Sequence, residues 1–179
     1  GITIVNGDVS GHGGGVLSRG GLTMENCAVI ANSADEGGGG ISSSGHLSVQ
    51  TSTVAYNDVP VGAIAGPSGG GIELTDGTAA IRYVDISYNE AQEWGGGLYV
   101  GEKVDAYLEG VGVSWNGAGN SGGGIMAEGP LYMVEGQIFG NSAKGDGGGL
   151  WCGKSGVTYS LDGVEIRSND AGSRGGGYM

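Results

Sequence analysis

Few side chains in this sequence have the chemistry of nucleophiles or metal ligands. There are two histidines, His12 and His46, and two cysteines, Cys27 and Cys152. None of them belongs to a cluster with the ligand spacing of a metal site. These residues therefore predict neither a metal centre nor a histidine-based triad.

Carboxylates are the abundant reactive group. The chain has 19 Asp and Glu residues against 7 Lys and Arg, which gives a formal net charge of −12. This balance argues against nucleic acid and anionic membrane surfaces as partners, since both require clustered basic residues. No apolar stretch approaches the ~18 residues of a membrane span. An acidic, soluble, exported or surface-exposed protein fits the composition.

The elements that must position these groups follow from a repeat. Glycine makes up 44 of 179 residues, without the period of three that collagen needs. A Gly-Gly-Gly triplet followed by an apolar residue occurs seven times, every 25 to 31 residues. An apolar-x-x-Asn marker runs in phase with it and places an asparagine at one position per period: Asn32, Asn57, Asn89, Asn116, Asn141 and Asn169. Both markers together predict a solenoid.

Within each period, apolar residues alternate with polar ones over three short segments, which is the pattern of half-buried strands. Three strands per ~25 residues with glycine-rich corners describe one coil of a parallel β-helix. We therefore predict an all-β fold, a right-handed parallel β-helix of about six to seven coils with three short strands per coil. Residues 1–179 form a single domain in this interpretation, either a fragment or an uncapped subunit that stacks on others.

The glycines and asparagines have physical roles in such a fold. Glycine allows the positive φ and the close backbone approach that corners require. Asparagine also tolerates the left-handed conformation, and stacked asparagines can hydrogen-bond to one another as a ladder. We read the asparagine column as structural.

The predicted coils separate the reactive side chains. Cys27 and Cys152 lie five coils apart, roughly 24 Å at ~4.8 Å per coil, so no disulfide is expected and both should pack as small apolar residues. Asp85 and Glu165 share a column but are three coils apart, too far to act as the paired carboxylates of glycoside cleavage. We expect no enzyme activity and no cofactor. Weak Ca²⁺ binding by the acidic loops stays open; these loops contain Asp35, Glu36, Glu90, Glu93, Asp146 and Asp170.

The paired markers resemble the repeats of chlamydial polymorphic outer-membrane proteins, and more widely the bacterial right-handed parallel β-helix proteins that include autotransporter passengers. Gly147–Leu150 and Ile138–Asn141 carry both halves of the pattern. The resemblance covers nearly the whole chain and implies an exported, surface-associated, adhesin-like module. Unlike those proteins, this sequence contains no β-barrel anchor.

Two surface features stand out from the repeat. One is an outward aromatic cluster, a possible contact face for a sugar ring or a protein, with cross-strand stabilisation of the sheet as the alternative. Its residues are Tyr99, Met126, Trp151, Tyr107 and Tyr132. The other is a lengthened apolar loop at 58–67, which either contacts a partner or folds back over a coil edge. Its candidate contact residues are Val59, Pro60, Val61 and Ile64.

The function predicted from these observations is that of a non-enzymatic, extracellular or cell-surface structural module. It would act in adhesion, coating or fibre building. Its partners would be further copies stacked end to end through unpaired strand edges, a host or cell-surface protein, or a glycan. The alternative is a carbohydrate-binding or carbohydrate-cleaving β-helix that uses the Tyr99 and Trp151 face.

Overall fold

The computed structural model describes residues 1–60, 66 and 68–179, and within them the chain is all β. No helix in this described part has the length and hydrophobicity needed to cross a membrane. The strands are β1 (Thr3–Val5), β2 (Asp8–Val9), β3 (Val16–Ser18), β4 (Leu22–Glu25), β5 (Ala28–Ile30), β6 (Ser33–Ala34), β7 (Ile41–Gln50), β8 (Thr53–Ala55), β9 (Asp58–Val59), β10 (Ile72–Arg82), β11 (Asp85–Ser87), β12 (Glu90–Ala91), β13 (Leu98–Ser114), β14 (Gly117–Ala118), β15 (Ile125–Ala127), β16 (Leu131–Phe139), β17 (Ser142–Ala143), β18 (Leu150–Trp151), β19 (Tyr159–Arg167) and β20 (Asp170–Ala171).

Every pairing between these strands is parallel, and each joins one coil to the next. The strands form two sheets of 13 and 7 strands. The chain is therefore a parallel β-helix of about six turns, as the repeat predicts.

A coil contains more strand than the sequence pattern indicates. A two-residue strand follows each of the six ladder asparagines, and these strands together with β2 form the 7-stranded sheet, in the order β2-β6-β9-β12-β14-β17-β20. In the middle coils, neighbouring predicted segments also merge into one strand. In β13 all three segments merge, so that this strand runs without a break from Leu98 to Ser114. The prediction of three short strands per coil was incomplete, because two residues are too few to show a period of two.

The core lies inside the coils, where inward residues of successive coils stack in columns. Its largest fully buried side chains are Ile41, Leu47, Ile72, Leu74, Ile81, Ile86, Leu98, Leu108, Ile125, Leu131, Met133 and Ile138. Cys27 and Cys152 are free thiols that pack, partly buried, against this core. Burial raises the pKa of the Cys152 thiol, which keeps it in the unreactive protonated form.

Each glycine of a triplet meets a different constraint, as the triplet Gly95–Gly97 illustrates. Gly95 has a φ of +62°, in the left-handed region that glycine enters without steric penalty. A Cβ on Gly96 would lie 2.3 Å from the carbonyl oxygen of Gly117 in the next coil. A Cβ on Gly97 would lie 2.9 Å from Nδ2 of Asn116. The triplet and the asparagine therefore form one packing unit, which explains why the two sequence markers keep a nearly constant offset.

The left-handed residue at the second corner is not the asparagine. It is the residue immediately before it, and φ lies between +54° and +66° at Ala31, Tyr56, Tyr88, Trp115, Gly140 and Ser168. The tolerance of asparagine for the left-handed conformation is therefore not used at the ladder positions. The corner residue turns the chain so that its own side chain projects outward, while the asparagine that follows projects into the coil.

Candidate functional site

The asparagine ladder, formed by Asn32, Asn57, Asn89, Asn116, Asn141 and Asn169, runs through the coils along the solenoid axis. In each step, Nδ2 of one asparagine donates to Oδ1 of the next at 2.9–3.0 Å. The backbone N–H of the same asparagine donates to that oxygen too, at 2.9–3.0 Å. The ladder thus links backbone and side chain of every coil to its neighbour.

The second amide hydrogen of each asparagine also has a partner. Nδ2 of Asn89, for example, donates to the carbonyl oxygen of Val54 at 3.0 Å. Asn89 is completely buried, so the four hydrogen bonds of its side chain replace all the water it loses. Buried polar groups that are fully satisfied stabilise and rigidify a core. The ladder is therefore a cross-link between coils.

The aromatic stack, formed by Tyr56, Tyr88, Trp115 and Phe139, lies on the outside of the same corner. The rings of Tyr56 and Tyr88 are parallel within 2° with centroids 5.0 Å apart, and those of Tyr88 and Trp115 are parallel within 10° at 6.4 Å. Phe139 packs edge-on against Trp115 at 4.8 Å. The Arg167 guanidinium lies 4.2 Å from the centre of the Phe139 ring. Trp115 is 49% exposed, so the stack presents aromatic surface to solvent.

Beside Trp115 lies a groove of about 400 Å³ across the outer face of β13. Asp85, Gly112 and Gln137 pair in register, so the side chains of Asp85 and Gln137 flank a position that has none. We call this gap the Gly112 slot. Ser87 donates to Oδ2 of Asp85 at 3.0 Å, and Oδ1 lies 3.8 Å from where a Cβ of residue 112 would stand. The slot combines an oriented carboxylate, an amide and an aromatic wall.

The predicted aromatic contact face has only part of the expected exposure. Tyr99, Met126 and Trp151 pair in register, as do Tyr107 and Tyr132. Met126 stands in the same outward column as Glu73 and Tyr99 but is only 5% exposed, so it offers no contact surface. Met126 lies between Tyr99 and Trp151 of the two neighbouring coils, whose large side chains flank it.

Within this face, Tyr99 is held by a hydrogen bond. Its hydroxyl donates to Oε2 of Glu128 at 2.7 Å. Partial burial, together with this bond, raises the pKa of the Tyr99 hydroxyl. Tyr132 is the exposed residue of the face, while Tyr99, Tyr107 and Trp151 are half-buried.

The predicted contact loop lies partly inside the core. Val59 is only 2% exposed and pairs with Ala91 in the 7-stranded sheet, so its assignment as a contact residue was wrong. It takes an inward position because it follows the ladder asparagine by two residues. Pro60 is half-buried. Val61 and Ile64 lie outside the described residues.

Sequence reasoning missed a polar cluster around Glu73, which we call the Glu73 cluster. Glu73 is only 4% exposed. Its Oε2 accepts a hydrogen bond from Ser42 at 2.8 Å and lies 2.9 Å from Nδ1 of His12. Its Oε1 accepts from Ser68 at 3.2 Å. The other ring nitrogen of His12 lies 3.2 Å from Glu36.

A glycine makes the Glu73 cluster possible. His12, Gly37 and Ser68 occupy one column in successive coils, and a Cβ on Gly37 would lie 2.3 Å from the Glu73 carboxylate. Glu73 therefore reaches across Gly37 to a histidine two coils away. The hydroxyl of Ser42 is bound to the carboxylate, not to the histidine, so the cluster is a hydrogen-bonded network around a buried carboxylate. Only a column-by-column alignment of the turn before each strand could have found it.

The remaining carboxylates are dispersed. Asp85 and Glu165 stand three strands apart, with Gly112 and Gln137 between them. Asp146 pairs with Arg174 at 2.6 Å, and this hydrogen bond lowers the pKa of Asp146. Across the part of the chain that the structure describes, no three His, Cys, Asp or Glu side chains group as metal ligands would.

Comparison of the chain with protein-family models, curated proteins and solved structures gives no match. Function must therefore be argued from the molecule itself.

Proposed function

We propose that this protein is a non-enzymatic structural or adhesive module that works outside the cell or at its surface. The observation that carries the proposal is the asparagine ladder, which ties six successive coils together through buried hydrogen bonds. A solenoid joined this way opens only by breaking several bonds in each coil. Such a scaffold suits a protein that must keep a long surface in shape outside the cell.

The acidic composition supports the same role. A net charge of −12 opposes non-specific association between rods in solution. Contacts must then come from particular surfaces. The partners we propose are further copies joined by strand pairing between coils, a host or cell-surface protein, or a glycan.

The proposal is tested by comparing the wild-type chain with Asn89→Leu. We expect the wild type to resist trypsin, and the variant to be digested because its coils open. Electron microscopy of the wild type should show rods or filaments, and incubation with polysaccharides should release no reducing ends. Rapid digestion of the wild type would contradict the scaffold role, and release of sugar products would contradict the non-enzymatic one.

A second candidate function is that of a carbohydrate-binding or carbohydrate-cleaving β-helix. Exposed aromatic side chains next to polar ones favour the binding form, because a ring with an apolar body can pack on the C–H face of a sugar while neighbours bind its hydroxyls. In the sequence, Tyr99 and Trp151 suggested where this would occur. The exposure of Trp115 and the groove beside it now offer a stronger location.

A further inference from the structure

We infer that the Gly112 slot is a binding subsite for one ring of a neutral glycan, on a face that the sequence did not single out. The inference rests on the second candidate function and gives it a location and a ligand class. It is independent of the scaffold role, which stands whether or not the slot binds a sugar.

The floor of the slot limits what can bind there. It is the backbone of β13, whose N–H and C=O groups already pair with β11 on one side and with β16 on the other. A peptide strand therefore finds no free backbone groups to pair with, as β-strand addition requires. Recognition must come from side chains and from contact with the aromatic wall.

The width of the slot is set by the sheet. Asp85 and Gln137 are one strand on either side of Gly112, so their backbones are roughly 9–10 Å apart at ~4.8 Å per strand. An α-helix is ~10–12 Å across with its side chains and does not fit between them. The side chains of Asp85 and Gln137 narrow this gap further, so at most one sugar ring can enter between them.

The chemistry of the walls selects a neutral polyol. Oδ1 of Asp85 faces the slot as a hydrogen-bond acceptor, while Ser87 holds Oδ2 in place. The amide of Gln137 can donate and accept, and it is exposed. Vicinal hydroxyls can meet both groups, and the exposed edge of Trp115, whose faces are covered by Tyr88 and by Gly140, can contact the ring at the end of the slot. The carboxylate and the net charge of −12 disfavour uronates, sulfated sugars and phosphates.

A glycine substitution gives a clean test. Gly112 does not have a positive φ, and the only atom within 4 Å of a Cβ added at this position would be Oδ1 of Asp85. Gly112→Thr therefore fills the slot without disturbing the fold. Gly117→Thr is the matched control, because Gly117 is five residues away in the same coil and its Cβ would meet nothing closer than 3.9 Å.

The measurement is the binding of neutral hexasaccharides (cello-, manno-, malto- and xylohexaose) by calorimetry and tryptophan fluorescence, with oligogalacturonate as the anionic probe. We expect at least one neutral probe to bind and the anionic one not to. Gly112→Thr should raise Kd at least about tenfold, as the loss of a few specific contacts does, with Tm unchanged. Gly117→Thr should bind as the wild type does.

Absence of binding for all four neutral probes would overturn the inference, as would binding that Gly112→Thr leaves intact. Binding lost in Gly117→Thr alone would place the site on the other face of the coil and overturn it as well. In each case an intact, protease-resistant wild type would leave the scaffold proposal standing.

Discussion

The asparagine ladder and the aromatic stack are neighbours in sequence and run parallel through the molecule, yet they behave oppositely. Asn89 is completely buried, whereas Tyr88, the residue before it, is 47% exposed. The ladder keeps one residue type in six coils, because every atom of the amide has an assigned partner. The corner position before it holds Ala31, Tyr56, Tyr88, Trp115, Gly140 and Ser168. The comparison teaches that repetition in a solenoid belongs to its interior, and that variation outside leaves room for function.

The largest expected loss of stability comes from replacing a ladder asparagine, which distinguishes the ladder from the aromatic stack. Asn89→Leu removes the acceptor for two donors of Asn57 and leaves the Val54 carbonyl without its amide partner. We expect about 4 kcal/mol of destabilisation, since each buried group left without a partner costs about 1–3 kcal/mol. Chemical denaturation measures it.

The control is Tyr88→Leu, one residue away. It removes only a partly exposed ring from the stack, so we expect about 1 kcal/mol of destabilisation, in the range of aromatic pair energies. If both variants lost the same stability, the contrast between ladder and stack would be wrong.

A pair of glycines sharpens the comparison. A Cβ at Gly97 would lie 2.7 Å from the carbonyl oxygen of Gly124 and 2.9 Å from Nδ2 of Asn116. We expect Gly97→Ala to destabilise by about 3 kcal/mol, as overpacking does. Gly112→Ala, on the outer face, should instead be neutral or stabilise by roughly 0.5 kcal/mol because it restricts the unfolded chain. Thermal unfolding of both variants measures the difference, and equal losses would contradict the packing role of the triplet.

The Glu73 cluster is an exception to the contrast between a buried interior and an exposed outer surface, since Glu73 stands in an outward column but is buried. His12→Ala leaves this carboxylate without its histidine partner. We expect a loss of about 2 kcal/mol, the range of hydrogen bonds to charged groups. His46→Ala is the control: His46 is exposed and contacts Thr78, so its loss should change stability little. A His12 variant as stable as the His46 variant would show that the cluster contributes nothing.

The smallest expected effect on stability concerns Asp58, in the column of residues that directly follow the ladder asparagines. Partial burial, followed by repulsion from Glu90 and Asp8 and opposed by the Ser33 hydroxyl, raises the pKa of Asp58 above its ordinary value of 3.8. The folded state therefore holds the Asp58 proton more tightly than the unfolded state does, and stability falls as pH rises through the raised pKa. We expect Asp58→Asn to raise Tm at neutral pH, with the gain vanishing below about pH 3.8, where both states are protonated. A gain of equal size at acidic and neutral pH would contradict the charge argument.

Much of the fold could be predicted because the interior repeats. Triplets such as Gly95–Gly97 and the asparagines recur at matched offsets, and this regularity reflects the close fit between Gly97 and Asn116. The short strand that follows each asparagine could not be predicted, since Asp58–Val59 and its equivalents are only two residues long.

The candidate site was less accessible from sequence. Tyr88 and Trp115 share a column because each directly precedes a ladder asparagine, and an alignment on the asparagine would have shown it. Their outward direction depends on the left-handed corner, which alternation of apolar and polar residues does not reveal. The Gly112 slot required the register of three coils, which places Asp85 and Gln137 on either side of a missing side chain.

By itself the sequence determined the coil, because backbone hydrogen bonds and buried amides tolerate few residue types at fixed spacing. Only the tertiary structure decided which side chains from different coils meet. His12 reaches Glu73 two coils away because Gly37 between them has no side chain, and Met126 is buried between Tyr99 and Trp151 of the neighbouring coils. Contacts between coils depend on the exact stacking of residues far apart in the chain, and a local sequence pattern does not indicate that stacking.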